Sequence, residues 1–262
     1  MRSPPRRRTG ALRVAKARPV HYLLGCVSRS PVPKAGIAHA KVSPSRCTGL
    51  LVKPGYWDRA TRELGEQDNV LGALISAHPG IHLTQRGDPF TTLARAIVGQ
   101  QISVKAAQAI WNRLAKASGV HAHGMPLDPT RVARMRIATL RRCGLSARKA
   151  EYIRDLARHF SSGKLDPREW PALDDESLIA ALVDVKGIGR WTAEMFLIFH
   201  ELRPDVLPVD DIGLQKAVAL HFFDGERQPL DVIRDVAEAW RPWRSVATWY
   251  LWRSLDPIPV EY

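Results

Sequence analysis

A chain of 262 residues, 45% hydrophobic and 25% charged, has a globular composition and enough length to bury one large core or two small ones. No apolar run approaches the ~20 residues of a membrane-spanning helix, and three scattered cysteines (Cys26, Cys47, Cys143) without a CxxC pair argue against a disulfide framework or a structural zinc site and for a reducing compartment. The net charge of +13 sits almost wholly in residues 1–57, with twelve Lys/Arg and no acid; residues 58–262 carry 27 basic against 26 acidic side chains, so bulk charge argues for no nucleic-acid surface on the body.

In chain order, residues 1–57 mix Pro, Gly, Ser and Arg without periodicity and read as a disordered basic tail. It could add phosphate attraction, act as an Arg-rich transit peptide, or be upstream sequence translated from a misassigned start. The last is the expectation, since arginines outnumber lysines 29 to 10, as in a GC-rich genome. From Tyr56 the pattern is helical. DNVLGALISA stops at Pro79-Gly80, and DPFTTLARAIVGQQ opens with Asp88 as cap and Pro89 at the first position. DPTRVARMRI repeats that start at Asp128-Pro129; SARKAEYIRDLARHFSSG runs from Ser146 and ends before Gly163; DDESLIAALV opens with three acids, favoured by the helix dipole. No alternating strand pattern with hairpin turns occurs. The expectation is an all-α fold of roughly ten helices.

The next segment, VKGIGRW (Val185–Trp191), joins two apolar helices through Gly187 and Gly189. On spacing alone it reads equally well as a glycine-capped helix connection and as a phosphate site, with the amides of Gly187, Gly189 and Arg190 aimed outward and Lys186 and Arg190 beside them. A nucleotide-binding GxGxxG is a poor match, because Thr192 stands at the third glycine and no strand precedes it. Downstream, TAEMFLIF is apolar nearly all round, PVDDIGLQKAV opens a helix at Asp210-Asp211, and WRPWRSVATWYLW closes the chain with four tryptophans. An Asp pair after Pro-Val reads, taken alone, as a helix cap. Most single tryptophans are core residues.

Hairpin, buried helix, Pro-x-Asp-Asp and terminal tryptophans together resemble the helix-hairpin-helix DNA glycosylases over roughly residues 58–256, with 257–262 as a short tail; Asp211 follows Gly189 by 22 positions, about the family's spacing. The tryptophan-rich end resembles the alkylation-repair branch, the 3-methyladenine DNA glycosylase II type. The resemblance implies two helical subdomains with the active-site cleft between them, and a monomer that binds damaged double-stranded DNA. The place implied is the bacterial cytoplasm at the nucleoid, organellar targeting being the alternative.

Endonuclease III-like relatives carry a nucleophilic lysine where this chain has Trp191, so the resemblance implies a monofunctional enzyme that uses water. It also implies Asp211 as the catalytic carboxylate with Asp210 as the cap, and a base pocket of Trp191, Trp252 and Met195. Trp240 and Trp243 are left to the core. Lys186, Gly187, Gly189, Arg190 and Thr192 form the phosphate-facing hairpin, and Gln101 with Gln100 the wedge that fills the gap left by a flipped base. Arg244 and Ser245 are weaker candidates for DNA-backbone contacts. No cofactor is expected, and no iron–sulfur cluster, since no cysteine follows Cys143; the resemblance allows an alkali ion on the carbonyls of Val183, Val185 and Ile188. The competing expectations are a non-catalytic helix-hairpin-helix binding module and a bifunctional glycosylase/lyase.

Overall fold

Seven helices begin where an Asp or Ser side chain accepts a backbone N–H from the first turn. This local device sets most boundaries in the computed structural model, which describes residues 53–85, 87–120 and 125–255. The helices are α1 (Trp57–Gln67), α2 (Asn69–Ala77), α3 (Pro89–Gly99), α4 (Val104–Ala117), α5 (Pro129–Arg134) and α6 (Ile137–Arg142). There follow α7 (Ala147–Ser161), α8 (Asp175–Val183), α9 (Arg190–Phe199), α10 (Ile212–Phe222), α11 (Leu230–Glu238) and α12 (Arg244–Leu255). Twelve α-helices and no strand occur among the described residues, with one 3₁₀ turn at Trp170–Ala172. The fold is all-α, with two helices more than the periodicity predicts. Short helices such as α5 and α6 are the hardest to separate by pattern alone.

Packing follows two sets. Helix α7 lies against α3, α5 and α6, while α3 also meets α4 and α9, and α8 pairs with α9. In the other set α1 packs on α2, both meet α12, and α12 meets α10. Helix α12 is buried over most of its length, which explains why its sequence shows no polar face. Trp240 is fully enclosed beside Phe222, and Trp243 stacks on Tyr56 at 5.7 Å while its indole N–H donates to Glu63 Oε2 at 2.6 Å. Both tryptophans are core residues, as expected.

The tail boundary drawn at residue 57 took in Tyr56 and Trp57, although the helical pattern starts at Tyr56; the packed body includes both. Trp57 is buried and opens α1, and Tyr56 donates its hydroxyl to Leu202 O at 2.7 Å. The tail expectation for residues 1–52, and the short C-terminal one, lie outside the described residues.

The loop from Arg203 to Asp211, which delivers the expected catalytic residue, is clasped from both sides. Arg203 donates to the carbonyls of Trp170 and Leu173. From α12, Arg244 forms a fork onto the Asp205 carboxylate (2.8 and 3.0 Å), and the buried Ser245 hydroxyl accepts the Val206 N–H at 2.9 Å while its own N–H reaches Pro204 O. Arg244 and Ser245 therefore act inside the protein, correcting the expectation that they contact DNA: a serine with no exposed surface has none to offer a ligand. Ser245→Ala leaves the Val206 amide buried without its acceptor, and denaturant unfolding should show a loss of about 1–3 kcal/mol.

Candidate functional site

The hairpin between α8 and α9 turns through Gly187, whose φ of +86° lies in the left-handed region that glycine adopts without cost. A Cβ there would lie 2.2 Å from the Tyr152 ring of α7, so packing and conformation both demand glycine. Gly189 is different. Its φ is −92°, and a Cβ would meet nothing within 4 Å. Nothing inside the protein requires that glycine; its smallness keeps the approach to the start of α9 open. Gly189 and Arg190 are exposed there, and no side chain among the described residues caps the helix, so its first amides are available to an anion.

One of the two flanking hairpin charges is committed inside the protein and the other is not. The Lys186 N–H donates to Asp155 Oδ2 at 2.9 Å, leaving only its exposed side chain toward solvent. The Arg190 guanidinium is held by Glu176 of α8 (2.8 and 2.5 Å) and by Glu194, one turn along α9 (2.9 Å), so its charge is already partnered within the hairpin. Thr192 is half-buried, one position after Trp191. Of the three carbonyls on which the resemblance allows an alkali ion, that of Val185 accepts the Ile188 N–H at 3.1 Å.

Asp211 is 3% exposed and lies at the start of α10. Its Oδ1 accepts the Leu214 N–H at 2.7 Å, making Asp211 itself the N-cap; Asp210, expected to cap, is the exposed residue before it. The correction follows from the backbone hydrogen bonding of the loop. The Asp211 N–H is turned back onto Pro208 O at 2.9 Å, which places the helix start one residue later than the pair alone suggests. Two indoles complete the environment: Trp252 Nε1–H donates to Oδ1 at 2.9 Å and Trp191 Nε1–H to Oδ2 at 3.0 Å. These three hydrogen bonds are each donated to the oxygens, the pattern a charged carboxylate needs.

The two tryptophans expected to wall a base pocket meet at Asp211 through their polar edges. Trp191 leaves 38% of its surface exposed, whereas Trp252 is 5% exposed and stacks on Phe199 at 5.6 Å. Met195 is 2% exposed, within the core that α9 shares with its neighbours.

The turn after α3 carries the two expected wedge residues in unequal roles. Gln101 is exposed with φ +57°, a left-handed conformation that costs a non-glycine residue about 1–3 kcal/mol. Gln100 instead donates its amide to Gly187 O at 3.0 Å, joining this turn to the hairpin. Sequence reasoning passed over Lys149, which donates to Val98 O and Gln100 O at 2.8 and 2.6 Å, and burial pushes its pKa down. It also passed over Glu194, a visible signal as the one charge within the apolar run from Ala193 to Phe199. Burial pushes the Glu194 pKa up to about 7 despite Arg190, and its Oε2 has no hydrogen-bond partner among the described residues.

The chain matches the HhH-GPD superfamily of base excision DNA repair proteins over residues 94–242. The DNA-3-methyladenine glycosylase 1 of Schizosaccharomyces pombe is 36% identical over 172 residues, 65% of this chain and 74% of that protein. A crystal structure of the DNA-3-methyladenine glycosidase from Bacillus halodurans superposes with a TM-score of 0.70 at 36% identity, covering 78% of this chain and 92% of that one. The Schizosaccharomyces pombe 3-methyladenine DNA glycosylase in complex with abasic DNA gives 0.64 at 31% identity, covering 75% and 96%. The chain spans about two thirds (66%) of the length of the Bacillus subtilis relatives it matches.

Two glycines two positions apart should respond in opposite ways. Gly187→Ala should lower unfolding stability by at least about 2 kcal/mol through the Tyr152 clash and the left-handed φ. Gly189→Ala should change it by less than about 0.5 kcal/mol, yet weaken binding of a labelled DNA duplex about tenfold in fluorescence anisotropy. The raised Glu194 pKa gives a second test. The folded state holds this proton more tightly than the unfolded chain, so its contribution to stability is complete below the ordinary glutamate pKa and is lost as pH rises through about 7. Glu194→Gln should therefore show a smaller fall in Tm between about pH 5 and pH 8 than the unaltered protein.

Proposed function

Because the chain belongs to the HhH-GPD superfamily of base excision DNA repair proteins, we propose that it is a monofunctional DNA glycosylase. It releases alkylated purines, of the 3-methyl and 7-methyl type, from duplex DNA by hydrolysis of the N-glycosidic bond. The observation that carries this reading is the buried Asp211 carboxylate, held by two indole N–H groups and a helix amide, beside the partly exposed ring of Trp191.

Each part of that arrangement has a task. Alkylation at N3 or N7 makes a purine cationic, and an exposed indole face attracts a desolvated cation by about 2 kcal/mol. As the glycosidic bond breaks, the sugar gathers positive charge as an oxocarbenium ion. A carboxylate fixed nearby favours that state over the neutral sugar, and it can orient or deprotonate the attacking water. Its position is set before reaction by three hydrogen bonds, so no reorganisation accompanies charge development. A cationic purine leaves as a neutral base, so no second acid is needed. Neutral lesions such as hypoxanthine lack that help and react more slowly. The hydrolysis uses no cofactor or redox step.

An indole has no lone pair to attack the sugar, so Trp191 supplies no Schiff base, and the product is an intact strand with an abasic site. The bare start of α9 at Gly189 takes a backbone phosphate, with the Lys186 side chain adding charge, and Gln101 enters the stack when the damaged nucleotide turns out. Asp211 as a purely structural N-cap in a non-catalytic binding module is the second reading, favoured by its capping bond to Leu214.

Incubation with methylated duplex DNA separates these readings. Chromatography should show free 3-methyladenine and 7-methylguanine, with strand breaks appearing only after alkali. Borohydride should trap no covalent adduct; a trapped adduct means a lyase and overturns the hydrolytic reading. Asp211→Asn keeps the N-cap acceptor but loses the charge, and should slow release about 100-fold with lesion binding retained. Turnover close to that of the unaltered protein would return Asp211 to a capping role alone.

A further inference from the structure

Helix α7 presents three side chains, on successive turns, to two loops remote from each other in sequence. Lys149 donates its ammonium to the carbonyls of Val98 and Gln100 at 2.8 and 2.6 Å. The Tyr152 ring fills the space where any side chain at Gly187 would stand. Asp155 Oδ2 accepts the Lys186 N–H at 2.9 Å. The Gln100 side chain closes the circuit with its bond to Gly187 O at 3.0 Å. The turn after α3 and the α8–α9 hairpin are thereby registered on one rigid element.

Lys149 acts where the backbone most needs a partner. The last carbonyls of α3 have no helical donor, and a cation at this end also faces the negative end of the helix dipole. The next residue, Gln101, is exposed at φ +57°. A left-handed turn at a residue other than glycine persists only where its surroundings hold it, and the carbonyl immediately before it is one of the two that Lys149 binds.

We propose that Lys149 is a positioning residue for base flipping. It holds the 99–103 turn in the shape that presents Gln101 to the duplex, while α7 sets the distance from that tip to the phosphate-facing hairpin. The inference rests on the glycosylase reading above. Lys149 touches neither DNA nor the reacting atoms. Its loss loosens the tip and leaves the hairpin amides in place, so undamaged duplex is still bound while unstacking of the lesion fails. Lesions that are already unpaired, where flipping costs least, are spared.

The test uses the full chain and a duplex carrying a tetrahydrofuran abasic analogue with 2-aminopurine beside it, so that unstacking is read without excision. The unaltered protein should raise the fluorescence on binding. Lys149→Met should lose that rise to the level of Gln101→Ala, with affinity for undamaged duplex within about twofold, and the double variant should lose nothing further. Single-turnover release of 3-methyladenine should slow about tenfold from a fully paired duplex and less than about twofold from a bulged one. Lys149→Arg, which keeps charge and donors, should recover part of the rise; it also decides the matter if Lys149→Met does not fold, because equal loss of rise and of duplex affinity overturns the proposal. So does a Lys149→Met protein that keeps the full rise, or one that slows on paired and bulged lesions alike. An unaltered protein that unstacks the duplex but releases no base overturns the catalytic reading and leaves the role of Lys149 standing. One that gives no rise at all overturns the role of Lys149.

Discussion

One carboxylate holds the candidate site together. Asp211 caps its own helix, and its two oxygens receive the indole N–H of Trp191 from the start of α9 and that of Trp252 from within α12. A buried carboxylate with no donors would be costly; with three it becomes the point at which α9, α10 and α12 agree on their relative placement. The loop leading to it is held just as firmly, by Arg244 on Asp205, Ser245 on Val206 and Gln215 on Val209 O. The group best placed to stabilise positive charge is thus also one of the most constrained in the molecule. This suits catalysis by a preorganised field, which loses effect if the charge must move to act.

Outside the tail, residues 58–262 carry almost no net charge, and the hairpin shows how recognition of a polyanion is still compatible with that. Arg190, the most obvious cation of the motif, is spent on Glu176 and Glu194 within the hairpin. What remains for a phosphate is the exposed Lys186 side chain and an uncapped helix start made accessible by Gly189, a backbone device with little sequence information in it. In the proposed function the body therefore binds through the geometry of a few amides, and the exposed indole and the Gln101 tip supply discrimination.

Much of this was legible in the chain because it is local. Asp88-Pro89, Asp128-Pro129 and Ser146 announce helices whose capping bonds the structure contains, and Gly187 lies at the expected turn, with a left-handed φ. Trp191, Asp211 and Trp252 were singled out together, and they meet. The failures share one cause. Assigning the cap to Asp210, leaving Trp57 with the tail, and assigning Arg244 and Ser245 to outside contacts each required knowing what lies across the fold. Gln100 and Gln101 are adjacent and chemically identical, yet one faces Gly187 and the other solvent. Lys149 looked like one more helix cation because its partners are the carbonyls of residues about fifty positions earlier.

By itself the sequence determined the all-helical class, the position of the hairpin, the absence of an amine at position 191 and the short set of residues that carry any chemistry. Those follow from propensity, capping and residue type, which act over a few positions. Only the tertiary structure decided which oxygen each tryptophan binds, which hairpin charge is already partnered, which glutamine stays exposed and which lysine binds the carbonyls beside it. Most of those depend on groups 14 to 87 positions apart arriving within hydrogen-bond distance. That distance is a property of how whole helices pack, and no local pattern records it.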